Sequence, residues 1–337
     1  MQLTITNARR LMEAAFEANG YTAKEASAIA DHLMDCELRG LGYAGLARAV
    51  AIIEHDRRCN LQRSPITTLR ETPVSALVDG GDDLGYLVAM RATEIAIAKA
   101  RNSGIAVVGA SKTHFTGMYT YYLERITEVG FVGMIAGSGP SAVAPFGGTE
   151  PRFSTNPFAF GFPTENVPVI WDISTSSTTH AEVLLARRLG KPLPAGQGFD
   201  AQGGATTDPA KVLDGGAMAV WGGHRGSGLA LSVQLLSMMV GQQNAHGTYS
   251  EPGDFGTFIM VVDPGLFGSA EAFREQVSAY AAEIRAARPL DPKTPVRVPF
   301  ERSVQIREQT LAAGSIQVAD AVVGALRTFA GADVTGR

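Results

Sequence analysis

The chain has 337 residues, of which 45% are hydrophobic and 18% are charged, and its formal net charge is −4 at pH 7. This composition is typical of a globular protein with a sizeable core, and it excludes a disordered or fibrous chain. The weak negative charge and the lack of a basic block argue against nucleic acid as a partner. The first residues lack the apolar core of a signal peptide. The sequence also lacks an apolar run of about 18 residues, so we expect no membrane span. We therefore expect a cytoplasmic enzyme.

The first 60 residues predict helices. Thr22 and Glu25 have the spacing of a capping box, and the apolar residues that follow lie on one helical face. Gly40 ends this helix, residues 42–45 form a loop, and Leu46–Cys59 is the next predicted helix.

The rest of the chain alternates between strand-like and helical patterns. The predicted strands are 74–79, 105–110, 131–136, 158–162, 168–173 and 258–263. The predicted helices are 84–102, 118–128, 179–189, 229–240, 269–286, 302–313 and 318–329. Residues 190–227 predict a long irregular segment, which inside a compact protein is usually functional. The fold class is therefore mixed α/β (α+β), with a helical N-terminal region.

The usual dinucleotide-binding signal, G-x-G-x-x-G between a strand and a helix, is absent. Residues 79–85 resemble it weakly. They carry three carboxylates that would repel a pyrophosphate, so they predict a turn before a helix.

A glycine-rich turn runs from Trp221 to Gly228 and contains four glycines in eight residues, directly before an apolar helical run. Glycines let a ligand come close to backbone N–H groups, and a helix N-terminus favours an anion. His224 and Arg225 add donors beside it. The pattern predicts an anion site, and the alternative is a tight loop before a buried helix.

Three histidines lie at junctions or turns where ligands often bind: His114, His180 and His224. Each is a candidate general acid or base, and for each the alternative is an imidazole bonded to loop backbone. The run from Asp172 to Thr179 holds one carboxylate and six hydroxyls, which suits ribose and phosphate, whereas helix capping would need only one hydroxyl. Arg48 is a candidate partner for a substrate carboxylate. The spacings of His and Cys predict no metal site.

Several motifs in order resemble the malate/L-lactate dehydrogenase family of NAD(P)-dependent oxidoreductases that lack a Rossmann fold. They are Arg39-Gly40, Thr113-His114-Phe115, residues 143–148, Ser154-Thr155-Asn156-Pro157, residues 171–176, residues 206–209 and residues 222–228. The pattern is most similar to that of the Δ1-piperideine-2-carboxylate and Δ1-pyrroline-2-carboxylate reductases. The resemblance covers essentially the whole chain and implies a homodimer. It also implies a largely antiparallel cofactor domain inserted between helical segments. We divide the chain into a helical domain at 1–62, a substrate and dimerisation domain at 63–115 with 265–337, and an NAD(P)-binding domain at 116–264.

The resemblance also implies site residues. His114 would be the catalytic histidine, and Arg48 and Thr155 would bind the substrate. Contacts with NAD or NADP would come from Ser138, Ile170, Trp171, Asp172, Ile173, Ser174, Thr175, Ser176, His224, Arg225, Phe300, Glu301 and Arg302. The family often has Pro-Gly-Glu where this chain has Pro299-Phe300-Glu301. Arg225 suits a 2′-phosphate or a pyrophosphate equally, which leaves the choice between NAD and NADP open.

One departure bears on the chemistry. The family commonly has Arg-Gly-x-Asp-Ser-His-Gly, and here Gly42, Tyr43 and Ala44 replace Asp, Ser and His. Loss of a positioned proton donor typically costs about 10²–10⁴ in rate. Either Tyr43, His114 or His180 replaces it, or the substrate is a cyclic imine that already carries its proton.

The sequence therefore predicts an NAD(P)H-dependent reductase of small 2-carboxylated cyclic imines, by hydride transfer to C2. One alternative is an NAD(P)-dependent 2-hydroxy-acid dehydrogenase acting on malate, lactate or sulfolactate. The other is a relative that binds the cofactor without catalysis.

Overall fold

The computed structural model describes residues 1–242 and 255–331. Within these ranges the chain forms eleven α-helices, twelve strands and a 3₁₀ turn at Pro264–Leu266. The helices are α1 (Ile5–Glu17), α2 (Ala23–Leu38), α3 (Leu46–Cys59), α4 (Gly85–Ser103), α5 (Thr120–Glu128), α6 (His180–Arg188), α7 (Pro209–Leu213), α8 (His224–Met239), α9 (Ala270–Arg285), α10 (Glu301–Ala313) and α11 (Asp320–Ala330). The strands are β1 (Gln2–Thr4), β2 (Thr67–Thr72), β3 (Ser75–Leu84), β4 (Ile105–His114), β5 (Val132–Ser138), β6 (Val143–Ala144), β7 (Phe158–Phe162), β8 (Val169–Ile173), β9 (Gly198–Phe199), β10 (Ala217–Ala219), β11 (Gly256–Val262) and β12 (Ser315–Gln317). No helix in the described ranges has both the length and the apolar character needed to cross a bilayer.

The main sheet has seven strands in the order β2-β3-β4-β11-β5-β7-β8. Among the described strands of this sheet, β3 and β4 pair in parallel and every other neighbouring pair is antiparallel. The prediction of a mixed α/β fold with a largely antiparallel sheet is confirmed. The sheet runs without a break across the predicted domain boundary at 115/116, and the division into domains stays a prediction.

Helices cover both faces of this sheet. Successive residues of a strand point to opposite faces. In β5, Ile135 packs in the cluster formed with α4 and α5, whereas the next residue, Ala136, packs against Val233 of α8. The sheet is therefore buried on both sides in its centre, and its strand ends are left to form the site.

A second core joins the two ends of the chain. Helices α1, α2 and α3 pack with α11 around apolar side chains such as Phe16, Leu33, Ile53 and Leu326. The strands β1 and β12 pair antiparallel beside it. The capping box at the start of α2 is present, with the Thr22 hydroxyl accepting from the Glu25 N–H.

Two predicted features differ from the structure. The helix expected from residue 229 begins at His224, so the glycine turn is confined to residues 221–223, and one side of α8 is exposed rather than buried. The predicted turn at 79–85 is instead a continuation of β3, with a register shift between Asp79 and Asp83. Its carboxylates are tolerated there because Asp79 pairs with Lys112 at 2.7 Å and Asp83 pairs with Arg63 at 3.1 Å.

A buried arginine joins three helices below the strand ends. The Arg39 side chain has no solvent exposure, and its Nε lies 2.8 Å from a carboxylate oxygen of Asp35. It also pairs with Glu124 of α5, and its Nη1 donates to the Ser303 hydroxyl of α10 at 3.1 Å. A buried charge needs such partners, because an unpaired one costs several kcal/mol.

We expect Arg39→Ala to lower the free energy of unfolding by about 2–3 kcal/mol, because its buried charged hydrogen bonds are lost and Asp35 and Glu124 then keep only Arg307 as a partner. Arg9→Ala is the matched control: Arg9 also pairs with two carboxylates, Glu13 and Asp31, but its side chain is 34% exposed. The control should lose no more than about 1 kcal/mol. Urea denaturation of both variants measures the difference. Similar losses of unfolding free energy would show that the buried ion pairs of Arg39 stabilise the fold no more than the exposed pairs of Arg9.

Candidate active site

A cleft of about 710 Å³ opens between the helical N-terminal region and the edge of the sheet. Its walls come from the 41–45 loop, the start of α3, the end of β5, strand β8, the start of α6 and the 297–303 segment. It brings together twelve of the residues predicted from the sequence. These are Tyr43, Arg48, Ser138, Thr155, Ile170, Trp171, Asp172, Ile173, Ser174, His180, Phe300 and Arg302.

The other six predicted residues do not line this cleft. Thr175 and Ser176 are buried behind it, where the Thr175 hydroxyl donates to the Thr155 carbonyl at 3.0 Å. Glu301 pairs with Arg285 at 2.5 Å. His224 and Arg225 are exposed in the first turn of α8. His114 lies elsewhere, as described below.

Arg48 has the donor set of an anion site. Its Nη1 atom is buried and has no hydrogen-bond partner among the described residues. Its guanidinium carbon lies 4.9 Å from the centre of the Phe115 ring, which supports the cation on one side. A buried donor without a partner carries a desolvation cost of about 1–3 kcal/mol or more. A ligand carboxylate at this position would remove that cost.

Tyr43 and His180 line the cleft with Arg48, and burial sets their protonation. Burial raises the pKa of the Tyr43 phenol, which therefore keeps its proton at neutral pH. Burial and the charges of Arg48 and Arg187 lower the pKa of His180 to about 3. At neutral pH the cleft thus presents a phenol O–H, a neutral imidazole and a fixed cation.

Glu37 of α2 bonds to the backbone at the end of the loop that carries Tyr43. A Glu37 oxygen accepts the Leu46 N–H at 2.9 Å and so serves as a remote cap for α3, which has no side-chain cap of its own. A Cβ at Gly45 would lie 1.9 Å from this carboxylate, so a larger residue there would displace Glu37 from the Leu46 N–H. Burial raises the pKa of Glu37 to about 7. Sequence reasoning missed Glu37, because its partner is nine residues away along the chain.

His114 is placed apart from the cleft. Its Nε2 lies 3.0 Å from one oxygen of Asp56, and the other oxygen accepts the Tyr21 hydroxyl at 2.7 Å. These side chains line a separate cavity of about 140 Å³. Phe115, the next residue, has a φ of 54° and lines the main cleft. The role of His114 in proton transfer stays a prediction.

The same cleft also carries hydroxyls and one carboxylate. Asp172 accepts the Thr120 N–H at 2.8 Å and the Thr120 hydroxyl at 3.0 Å, and burial raises its pKa. The Ser174 hydroxyl donates to the Thr155 carbonyl at 3.0 Å, and the Ser138 hydroxyl donates to Gln234 at 2.7 Å.

The glycine turn lies next to this hydroxyl-rich strand end, since the Trp221 N–H donates to the Thr175 carbonyl at 2.7 Å. Gly222 and Gly223 have φ values of 64° and 62°, a region that favours glycine. Helix α8 then starts without a side-chain cap, which leaves its first N–H groups available to an anion. The hydroxyls and this helix start fit the ribose and phosphate groups of a nicotinamide cofactor.

Phe300 adopts a strained backbone conformation at the rim. Its φ is 84°, which is rare for a bulky residue and costs about 1–3 kcal/mol. The same conformation explains why the family often has glycine here. In this chain the Phe300 ring lines the cleft and lies 4.9 Å from the guanidinium carbon of Arg39, so the buried ion network holds it in place.

His32 is a further residue whose role the sequence did not reveal. Its imidazole is buried beside Tyr86, Tyr121 and Tyr122, and its Nε2 accepts the Met118 N–H at 3.0 Å. Met118 lines the cleft. His32 therefore fixes part of the cleft wall by its hydrogen bond to the Met118 backbone. From the sequence alone, its position on a helix predicted only a surface or packing residue.

Comparisons with known proteins agree with this geometry. The model of the malate/L-lactate dehydrogenase family matches residues 3–327. The chain belongs to this family. An L-sulfolactate dehydrogenase of Methanothermobacter thermautotrophicus is 32% identical over 77% of the chain and 78% of its own length. A Δ1-pyrroline-2-carboxylate/Δ1-piperideine-2-carboxylate reductase of Pseudomonas putida is 28% identical over 91% of the chain and 91% of its own length. A dehydrogenase structure from Sinorhizobium meliloti superposes with a TM-score of 0.90 at 28% identity, covering 98% of each chain.

The predicted family and the predicted class, an NAD(P)-dependent oxidoreductase, are thereby confirmed. Among the described residues, no group of three or more His, Cys, Asp or Glu side chains is arranged to hold a metal ion.

We expect Gly228→Val to weaken NADH or NADPH binding about tenfold or more, because a branched side chain in the first turns of α8 blocks close approach of the cofactor. A Cβ at Gly228 meets no atom within 4 Å, so the variant should fold. Gly324→Val on α11 is the matched control, since its Cβ also meets nothing and both glycine carbonyls accept a hydroxyl four residues on. Fluorescence titration with each cofactor gives the affinities. Unchanged affinity in Gly228→Val would remove this turn from the cofactor site.

Proposed function

We propose that this protein is an NAD(P)H-dependent reductase of small 2-carboxylated substrates, with cyclic imines of the Δ1-pyrroline-2-carboxylate type as the first choice. The observation that carries the proposal is the buried Nη1 of Arg48, which has no partner among the described residues and lies in a cleft with Tyr43 and His180. A planar guanidinium matches a carboxylate with two parallel hydrogen bonds, so Arg48 would orient the substrate by its 2-carboxylate.

The bound nicotinamide supplies hydride to C2 of the substrate. Arg48 fixes the position of C2 and neutralises the carboxylate, while the Phe115 ring limits where the guanidinium can move. Asp172, Ser174 and Ser138, which line the same cleft, would hold the cofactor. An iminium nitrogen already carries a proton, so its reduction gives the amine without a protein proton donor.

The protonation of the cleft favours an imine over a carbonyl. A 2-oxo acid develops an alkoxide that needs a proton, yet His180 is neutral at pH 7 and the family histidine is replaced by Ala44. The Tyr43 hydroxyl also lines the cleft, but its raised pKa makes it a weak acid. The similarity to the Pseudomonas putida reductase over 91% of the chain also supports an imine substrate.

The second candidate is a 2-hydroxy-acid dehydrogenase. Two observations favour it: the 32% identity to an L-sulfolactate dehydrogenase, and a neutral His180 that can accept a proton from a substrate hydroxyl. A pKa of about 3 makes His180 a weak base, which is why we rank this candidate second.

We expect Arg48→Met to lower kcat/KM for Δ1-pyrroline-2-carboxylate about 10- to 100-fold, mainly through KM, because the charged hydrogen bonds to the carboxylate are lost. Initial rates with NADH and NADPH on a panel of cyclic imines and 2-oxo acids give both the preferred substrate and the effect of the variant. Arg48→Lys keeps the charge and should recover part of the loss.

The same panel separates the candidates. Faster turnover of 2-oxo acids than of imines would replace the first candidate by the second. Cofactor binding without turnover of any member would contradict both and favour a non-catalytic relative. His114→Gln and His180→Gln, measured on the best substrate, show which histidine matters for the chemical step.

We also propose that the protein is a homodimer. Helix α8 exposes a stripe of large apolar side chains with helical spacing, Leu231, Leu235, Met238 and Met239, which are 42–65% exposed. Exposed apolar patches of this kind usually mark an interface, and the family resemblance implies a second copy of the chain as the partner.

Leu235→Asp is expected to convert a dimer to a monomer at micromolar concentration, because it places a charge at the centre of this stripe. Leu311→Asp is the control, since Leu311 of α10 is similarly exposed, at 51% against 55% for Leu235. Light scattering of the wild type and both variants gives the mass. A monomeric wild type would reject the proposal.

A further inference from the structure

We propose that an anion-binding subsite adjoins the substrate site, and that it takes the distal carboxylate of a 2-carboxylated substrate with an extended aliphatic arm. The proposal rests on the proposed function, because Arg48 is taken as the ligand of the 2-carboxylate. The subsite is a second cleft of about 540 Å³.

The two clefts meet at the substrate end. Tyr43, Arg48, Phe115 and His180 line both of them. A substrate held by Arg48 therefore has two directions open to it, toward the cofactor residues and into the second cleft. The second cleft is walled by α3 on one side and by α6 on the other.

The charge of the second cleft is positive. Besides Arg48 it is lined by Arg58 of α3 and by Arg187 and Arg188 of α6. Among the described residues that line it, Glu54 is the one carboxylate, and it pairs with Arg188 at 2.6 and 2.7 Å. The lining therefore has more guanidinium groups than carboxylates, and this excess favours an anion.

The imidazoles in this cleft do not alter that balance at neutral pH. Burial and the neighbouring His114 lower the pKa of His55 to about 4, and burial keeps His180 neutral as well. The nearby Asp56 carboxylate opposes the shift of His55 but faces the separate small cavity. The positive charge of the cleft at neutral pH thus comes from arginines.

The dimensions of the cleft set the length of the ligand. Arg48 and Arg58 are ten residues apart on α3, so their Cα atoms are separated by about 15 Å along the helix. Ala51 and His55 lie between them on the same side of the helix and also line the cleft. Facing them are Val183, Leu184 and Met218, which suit methylene groups. A distal carboxylate several carbons from C2 fits this spacing better than one on the adjacent carbon.

The test compares two substrates that differ by one carboxylate. Linear 2-oxo acids serve as probes because they carry the distal group without a ring, and slow turnover is enough to compare the two. With reduced cofactor and the full-length enzyme, we expect kcat/KM for 2-oxosuberate to exceed that for 2-oxooctanoate about tenfold or more, because a charged hydrogen bond is gained. In the double variant Arg58→Gln with Arg187→Gln, this ratio should fall toward one. Arg70→Gln removes one charge from the exposed strand β2 and should leave the ratio unchanged.

Binding measurements keep the proposal testable without turnover. Isothermal titration of the wild type with suberate and with octanoate should show tighter binding of suberate, and the double variant should lose that preference. If suberate binds preferentially through Arg58 and Arg187 but no imine or 2-oxo acid is reduced, the subsite stands and the proposed function fails. Equal binding of suberate and octanoate by the wild type, or a preference that the double variant retains, would overturn the subsite.

Discussion

The buried guanidinium of Arg39 is the constraint on which the cleft depends. It bonds to Asp35 on its own helix, to Glu124 of α5 and to Ser303 of α10, and so fixes three elements that meet at the strand ends. Its outer side lies against Phe300, whose backbone would otherwise avoid a φ of 84°. This side of the main cleft is thus held by a buried electrostatic network.

Arg48 differs from Arg39 because the described residues do not satisfy all of its donors. Arg39 has its carboxylates supplied by the fold, whereas Arg48 has a buried nitrogen without a partner among the described residues. Burial keeps Tyr43 protonated and His180 neutral, so neither side chain neutralises this cation. A fold can retain such a group when a ligand regularly supplies the missing charge, because ligand binding then stabilises the folded state. The contrast between the two arginines separates a structural role from a binding role.

Local patterns in the sequence predicted the parts of the fold that local physics determines. The capping box at Thr22, the bounds of α3 and the strand at 158–162 follow from periodicity and caps, and the structure has them at the predicted places. The segment 79–85 was predicted as a turn, but it extends β3 through an irregular stretch in which Gly81 and Asp82 have positive φ, and Asp79 and Asp83 pair with Lys112 and Arg63. The start of α8 was placed too late because glycines at 226 and 228 weaken a helix signal, although both lie within the helix.

Motifs in the sequence located more of the residues that line the cleft than reasoning from side-chain chemistry did. Twelve residues carried over by motif or pattern share one cleft, whereas the placement of His114 depends on Asp56, which no spacing rule connects to it. The roles of Glu37 and His32 likewise require knowledge of which backbone N–H each accepts.

Both departures from the family pattern act on this same cleft. Replacing Asp-Ser-His by Gly42, Tyr43 and Ala44 removes a titratable side chain from the loop and leaves a phenol O–H that lines the cleft. Replacing a glycine by Phe300 places an aromatic ring at the rim, where the backbone strain is offset by contact with Arg39. Under the proposed function, the first change lowers the capacity for proton donation, and the second adds the Phe300 ring to the residues that line the cleft. Under the proposed function, these two changes suit a substrate that carries its own proton and binds through its carboxylate. The arginines of the adjoining cleft then offer a means to distinguish one such substrate from another by the charge at its far end.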